Sequence, residues 1–143
     1  MAGEIVVGIG PDSSGHSAAH YAAKLADALG RSLVLVFGYE ASAMGPRGGP
    51  LEDQIEAIAD EISADIRAEL AAAYPELTIR VELVRDRPVE SLVKVAEACD
   101  AEMIVVGHGG RGPLRAALLG STTYELVHRA PIPVLVCPDV TEE

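Results

Sequence analysis

Five short apolar segments alternate with four amphipathic segments along this chain of 143 residues. We number the apolar segments as predicted strands 1 to 5, at residues 5–9, 33–37, 77–83, 103–106 and 134–136. Strands that alternate with helices are typical of a parallel sheet with helices on both faces. Segments 1, 2 and 4 are continuously apolar, as strands buried on both faces are. The sequence therefore predicts an α/β fold with one five-stranded parallel sheet.

The third segment indicates the order of the strands. Within residues 77–83, apolar side chains alternate with Thr78, Arg80 and Glu82, so one face of this strand meets water and the strand lies at a sheet edge. With right-handed crossovers, the most economical order is 3-2-1-4-5, a doubly wound sheet. The winding reverses between strands 1 and 4. Open α/β sheets bind ligands at such a switch point, beyond the carboxyl ends of the strands.

The amphipathic segments predict helices that begin near residues 15, 51, 88 and 121. Ser13 or Ser14 is the predicted N-cap of the first. The second has the clearest apolar stripe, with a spacing of three or four residues: Leu51, Ile55, Ile58, Ile62, Ile66 and Leu70. Its opposite face is acidic, and we interpret it as solvated: Glu56, Asp60, Glu61, Asp65 and Glu69.

Length and composition limit the classes of function. A chain of 143 residues predicts one domain, over residues 1–143. No apolar run approaches the roughly 18 residues of a membrane span, and no leader pattern opens the chain, so we expect a cytoplasmic protein with no membrane partner. A net charge of -11 and the absence of Trp argue against a nucleic-acid partner. Cys99 and Cys137 are predicted to be buried, reduced thiols.

A glycine-rich segment follows strand 4 directly, reading GHGGRGPLRAALLGSTT over residues 107–123. Glycines let backbone N–H groups approach a ligand closely, and the helix that begins near Ser121 adds free N–H donors. Residues 103–124 contain no Asp or Glu but include Arg111 and Arg115. The loop after strand 1, residues 10–15, is also small and polar. These features predict an anion site at the switch point, for the phosphates of a nucleotide.

Two common phosphate motifs fit this segment poorly. Gly107-x-Gly109-x-x-Gly112 has the spacing of the dinucleotide fingerprint, but the acid expected about 20 residues later is missing. Gly107 and Gly112 also have the glycine spacing of a P-loop, but Pro113 and Leu114 stand where Lys and Ser or Thr are required. Neither a NAD site nor a P-loop phosphotransferase is favoured.

A third spacing, Gly107, Gly110 and then Gly120-Ser121, resembles the nucleotide motif of the universal stress protein family. The segments at residues 5–9, 118–121 and 130–136 also resemble that family. The resemblance implies a Rossmann-like or flavodoxin-like domain of the adenine nucleotide α-hydrolase-like type. It further implies that the protein binds an adenine nucleotide, forms a homodimer and acts in the stress response.

The resemblance also implies which residues hold the ligand, ATP with or without Mg²⁺. Glycines would allow close backbone approach to the phosphates, Ser121 and Thr123 would donate hydroxyls, and the backbone at Gly38 would face the adenine. The family usually has Asp at the end of strand 1, where Gly10 stands here, and Asp12 is the candidate substitute. The implied site is Gly10, Asp12, Gly38, Val106, Gly107, Gly110, Arg111, Gly112, Gly120, Ser121, Thr122 and Thr123.

We expect ATP to be a regulatory ligand with at most slow hydrolysis, because no Lys follows the glycines and no catalytic base is evident. His16, His20 and His128 have no acid or Cys at a metal-ligand spacing, so no metal site is predicted. Two alternatives stay open. One is a family member that acts by protein contacts without a nucleotide, and Gly10 supports it. The other is an adenylating enzyme of the pyrophosphatase-loop type, because residues 10–13 resemble part of that loop.

The fifth strand predicts how two copies associate. Val134, Leu135 and Val136 form a short, uncharged, apolar edge, and such an edge invites pairing with another strand. We expect a homodimer in which this strand pairs antiparallel with its own copy, since two-fold symmetry is the commonest in oligomers.

Overall fold

The computed structural model describes residues 3–11, 13–40, 49–109 and 120–138. Strands and helices alternate through these residues, as predicted. The strands are β1 (Ile5–Gly8), β2 (Leu33–Gly38), β3 (Ile79–Val84), β4 (Met103–Gly107) and β5 (Val134–Cys137). The helices are α1 (Ser13–Leu29), α2 (Pro50–Ala73), α3 (Pro88–Ala98) and α4 (Ser121–Arg129).

The strands form one parallel sheet in the order β3-β2-β1-β4-β5, which confirms the predicted topology. Ile5 of β1 lies opposite Leu33 on one side and Met103 on the other, so β1 pairs with both β2 and β4. The edge strand begins at Ile79 instead of the predicted residue 77. The N–H of Leu77 donates to the carbonyl of Tyr74 at 3.1 Å, so Leu77 closes the turn after α2.

Helices cover both faces of the sheet, and the alternation of side chains along the strands divides the core in two. Ile5 and Val7 pack with buried residues of α1 and α2, whereas Val6 packs with buried residues of α3 and α4. The side chains of Ile5, Val6 and Val7 are all fully buried. Burial on both faces explains why the central strands are apolar throughout.

The buried face of α2 differs from the predicted stripe. Ile66 and Leu70 are buried, but Ile58 is 52% exposed and Leu51 is 47% exposed, whereas Ala59 is fully buried. At about 100° per residue, Ile58 lies about 80° around the helix from Ile66, which places it at the margin of the buried face. The predicted acidic face is exposed, as expected: Glu56, Asp60, Glu61, Asp65 and Glu69.

Within the ranges that the structure describes, no helix is both long and apolar enough to cross a membrane. Both cysteines are free thiols. Cys137 is buried, as predicted, whereas Cys99 is only half-buried. Burial is the main reason that the pKa of each thiol lies above its usual value.

Candidate functional site

A cavity of about 470 Å³ opens where the chain leaves β1, β2 and β4. This is the predicted switch point, because β1 and β4 are neighbours and the winding of the sheet reverses between them. Eight of the twelve residues predicted for the ligand site line the cavity: Gly10, Gly38, Val106, Gly107, Gly120, Ser121, Thr122 and Thr123. The other four, Asp12, Gly110, Arg111 and Gly112, lie outside the described residues.

Ser14 connects α1 to the glycine-rich segment. Its Oγ accepts a hydrogen bond of 3.1 Å from the backbone N–H of Gly109. Because α1 begins at Ser13, Ser14 lies inside the first turn, and its prediction as an N-cap is wrong. The sequence shows a small polar loop here, but it contains no sign of a contact with a residue 95 positions away.

Gly107 packs directly against this turn of α1. A Cβ atom at position 107 would lie 2.7 Å from the carbonyl carbon of Ser14 and closer still to the two Ser14 oxygen atoms. Real Cβ atoms essentially never lie within 3.0 Å of another heavy atom. Position 107 therefore requires glycine for the contact between α1 and β4, in addition to any approach by a ligand.

Gly109 and Gly120 allow the end of β4 and the start of α4 to lie close together. Gly109 has a φ of +77°, a left-handed conformation that favours glycine. A Cβ on Gly120 would lie 2.9 Å from the Cα of Gly109, and the N–H of Gly120 donates to the carbonyl of His108 at 3.0 Å. These contacts hold the start of α4 beside the end of β4.

Thr123 strengthens the same junction. Its hydroxyl donates a 2.8 Å hydrogen bond to the carbonyl of Gly107, and the residue is only 4% exposed. In this structure the Thr123 hydroxyl donates to the backbone, and its predicted role as a donor to phosphate stays a prediction. Thr123 still lines the cavity, but its hydroxyl connects α4 to β4.

The first turn of α4 carries free backbone donors at the cavity wall. Its N-cap is Gly120, in an extended conformation and with no side-chain cap hydrogen bond. The first N–H groups of a helix have no partner within the helix, so the amides of Ser121 and Thr122 make no hydrogen bond inside α4. The N-terminal end of a helix also carries a partial positive charge. This wall can accept an anion.

Another part of the cavity wall is apolar. Val36, Phe37 and Leu92 contribute to it, and Gly38 allows α3 to approach. A Cβ on Gly38 would lie 2.9 Å from the Cβ of Ser91, so the side chain of Ser91 occupies that space. Such a wall can hold the flat face of an aromatic base. Gly10 differs, because a Cβ there would meet no atom of the described residues within 4 Å.

Among the described lining residues of the cavity, no side chain is charged. The carboxylates near the start of α3 are neutralised by basic side chains: Asp86 pairs with Lys94, and Glu90 pairs with Arg87. Lys94 is the main reason that the pKa of Asp86 is lowered, and Arg87 is the main reason that the pKa of Glu90 is lowered. A bound anion would therefore meet no carboxylate on the described walls.

The prediction that the histidines lack an acidic partner is wrong for two of them. Nε2 of His16 lies 3.1 Å from Oε1 of Glu69, and Nε2 of His20 lies 2.8 Å from Oε2 of the same carboxylate. Glu69 is on α2, about fifty positions along the chain, so sequence spacing concealed the pairing. His128, on α4, lies with its Nδ1 2.9 Å from the carbonyl oxygen of Tyr124.

The fold and the cavity define the class: a doubly wound, Rossmann-like α/β domain with a crevice at its switch point. A model of the universal stress protein family matches residues 1–138. The chain belongs to the universal stress protein family, and the resemblance drawn from its sequence is confirmed.

Curated relatives agree with this assignment. A universal stress protein of Thermus aquaticus is 32% identical over 127 residues, which cover 87% of this chain and 92% of the relative. A universal stress protein of Mycobacterium tuberculosis is 43% identical over 68 residues, which cover 48% of this chain but 22% of the relative. The matched region thus spans less than a quarter of that longer protein.

Solved structures have the same fold. A universal stress protein from Archaeoglobus fulgidus superposes with a TM-score of 0.77 at 23% identity, over 95% of this chain and 98% of that one. A universal stress protein in complex with cAMP gives a TM-score of 0.67 at 28% identity, over 97% and 99% of the two chains. A third, from Archaeoglobus fulgidus in complex with dAMP, gives 0.66 at 22% identity, over 93% and 95%.

Proposed function

We propose that this protein binds an adenine nucleotide, ATP, in the switch-point cavity as a regulatory ligand. The observation that carries the proposal is a cavity whose described walls carry no charged side chain, with the start of α4, which has no side-chain cap, on its wall. A family relative at 28% identity is in complex with cAMP, which supports an adenine nucleotide as the ligand class.

In the proposed complex, the phosphates lie at the first turn of α4. The free amides of Ser121 and Thr122 and the helix dipole favour negative charge there. Gly110, Arg111 and Gly112 would complete the phosphate site from the adjoining segment, as the family motif implies. The described walls offer no carboxylate for Mg²⁺, so a magnesium ion would bind through the phosphates and water.

The base lies against the apolar wall in this proposal. Val36, Phe37 and Leu92 would cover its faces, and the backbone of Gly38 would face its edge. The Asp that the family usually places at the end of the first strand is replaced by Gly10, next to open space. The ribose therefore has room at this position, but it would gain no hydrogen bond from a side chain there.

The decisive experiment fills the cavity without disturbing the fold. The variant Gly10→Phe adds a large ring on the cavity wall, at a position where a Cβ meets no described atom within 4 Å, so we expect it to fold and to exclude ATP. Calorimetric titration should detect ATP binding to the wild type and at least tenfold weaker binding to Gly10→Phe. Glu56→Phe, on the exposed face of α2, controls for the added aromatic surface and should bind as the wild type does.

A wild-type protein that binds no ATP at millimolar concentration would overturn the proposal and favour a family member that acts through protein contacts. Equal ATP affinities for the wild type and Gly10→Phe would instead show that the nucleotide binds elsewhere. Circular dichroism of each variant distinguishes a blocked cavity from an unfolded domain.

We also propose that two copies associate through β5. This strand is an edge of the sheet, paired only with β4 among the described strands. Leu135 is 41% exposed, while Val134 and Val136 are half-buried. Pairing with a second copy would satisfy the open edge and bury the Leu135 side chain.

A further inference from the structure

Two histidines and one carboxylate converge on the surface where α1 meets α2. His16 and His20 lie four residues apart on α1, so their side chains stand on the same face of the helix. Their rings meet edge to face, with centroids 5.0 Å apart and an interplanar angle of 84°. Glu69 reaches them from α2, and each of its oxygens lies against one ring nitrogen.

The three side chains present their donor atoms to a common point. One ring nitrogen of each histidine and a carboxylate oxygen of Glu69 lie within 4.8 Å of one another. Tetrahedral zinc with bonds of about 2.0–2.1 Å needs donor atoms about 3.3 Å apart. Two different oxygens of Glu69 lie 3.1 Å from Nε2 of His16 and 2.8 Å from Nε2 of His20, close to that spacing. Donor atoms as far as 4.8 Å apart would move closer together around a shared ion.

We propose that His16, His20 and Glu69 bind a divalent transition-metal ion, with Zn²⁺ as the reference probe. Imidazole nitrogens with a carboxylate oxygen suit Zn²⁺ and similar ions. The set supplies three protein ligands and leaves a fourth position for water. Binding requires each Nε2 to offer a lone pair, so the ring proton moves to Nδ1 as the ion displaces the direct hydrogen bonds to Glu69.

The surroundings favour a cation at this place. The histidine side chains are 38% exposed and that of Glu69 is 51% exposed, so an ion can reach the site from solvent. The chain carries a net charge of -11, which raises the local concentration of cations.

An ion bound at this site would cross-link two helices, α1 and α2. His16 follows Ser14 and Gly15, which line the switch-point cavity, so an ion bound here would hold the first turn of α1 against α2. The ligands come from separate parts of the chain, and the unfolded chain therefore lacks the site. An ion that binds only the folded protein raises the midpoint of thermal unfolding.

The test is a titration of tag-free protein with ZnCl₂, with variants that remove one ligand at a time. His20→Ala and Glu69→Gln should each bind Zn²⁺ at least about tenfold more weakly than the wild type, since even indirect metal contacts affect affinity by 10–100-fold. Glu69→His restores a donor and should bind better than Glu69→Gln. His128→Ala removes a histidine on α4 and should bind as the wild type does.

Nuclear magnetic resonance of the four histidines locates the ion independently of affinity. Zn²⁺ should shift the ring signals of His16 and His20 and leave those of His108 and His128 unchanged. Equal affinity in the wild type and Glu69→Gln, or shifts at His108 or His128 alone, would overturn the proposal. Zinc that binds the wild type only at millimolar concentration would do the same and would identify the cluster as a hydrogen-bonded contact between the helices.

Discussion

One added methyl group at position 107 should destabilise this domain, whereas the same group at position 10 should not. A Cβ on residue 107 would lie 2.7 Å from the carbonyl carbon of Ser14, where ordinary carbon contacts are about 3.5–4.0 Å. A change of side-chain rotamer cannot relieve this overlap because the carbonyl belongs to the backbone. The first turn of α1 would have to move by about 1 Å from β4.

The cost of that movement can be estimated from other overpacked sites, at about 1–3 kcal/mol of the free energy of unfolding. For a chain of this length, 1 kcal/mol corresponds to about 3–4 °C in the unfolding midpoint. Gly107→Ala should therefore melt about 3–12 °C below the wild type. In Gly10→Ala, the new Cβ meets no atom within 4 Å in the part of the chain that the structure describes. This variant should melt at or slightly above the wild type, because alanine restricts the unfolded chain.

Thermal and urea unfolding followed by circular dichroism measures both variants. The double variant Ser14→Gly with Gly107→Ala should recover only part of the loss, since it removes the Ser14 hydroxyl but leaves the backbone carbonyl in place. If Gly107→Ala melted with the wild type, the close contact between α1 and β4 would not exist in solution.

Replacing Gly110, in the phosphate motif, by Val should weaken ATP binding several-fold to a hundredfold, about 1–3 kcal/mol, as measured by calorimetry; an unchanged affinity would contradict the proposed phosphate site. ATP turnover should stay below about 1 per second, and faster phosphate release would reveal a catalytic group. Leu135→Lys should shift the proposed dimer towards monomer in sedimentation without unfolding the sheet; a monomeric wild type at tens of micromolar would refute the β5 interface. Cys137 is 3% exposed and its pKa is raised by burial, so a thiol reagent at pH 8 should label it only after unfolding.

The local pattern of the sequence was sufficient to predict the fold. Arg80 and Glu82 identify β3 as an edge strand, and the rule of right-handed crossovers then gives the complete strand order. The position of the cavity follows from that order and from the glycines after β4. Each of these inferences depends on residues that are neighbours in the chain or on a general rule of topology.

The contacts that were missed join distant parts of the chain. Ser14 is 95 residues from Gly109, and Glu69 is 49 residues from His20. The spacing of residues along the sequence does not predict contacts between such distant positions. The contact of the Ser14 hydroxyl with Gly109 and the pairing of His16 and His20 with Glu69 therefore could not be predicted. The predicted buried face of α2 was partly wrong, because the position of the sheet decides which face is buried. Ile58 belongs to the apolar repeat, but the helix packs on the sheet through Ala59 and Ile66.

The two margins of the sheet are chemically unlike. At β3, Arg80 pairs with Glu4 and with Glu82, so this edge strand carries charged side chains. At β5, the projecting group is the aliphatic Leu135. In the proposed dimer, pairing at β5 would occupy the apolar edge of both copies and leave the charged β3 edges outermost, which would oppose the addition of further strands. The same asymmetry that would permit a pair would thus disfavour a fibre.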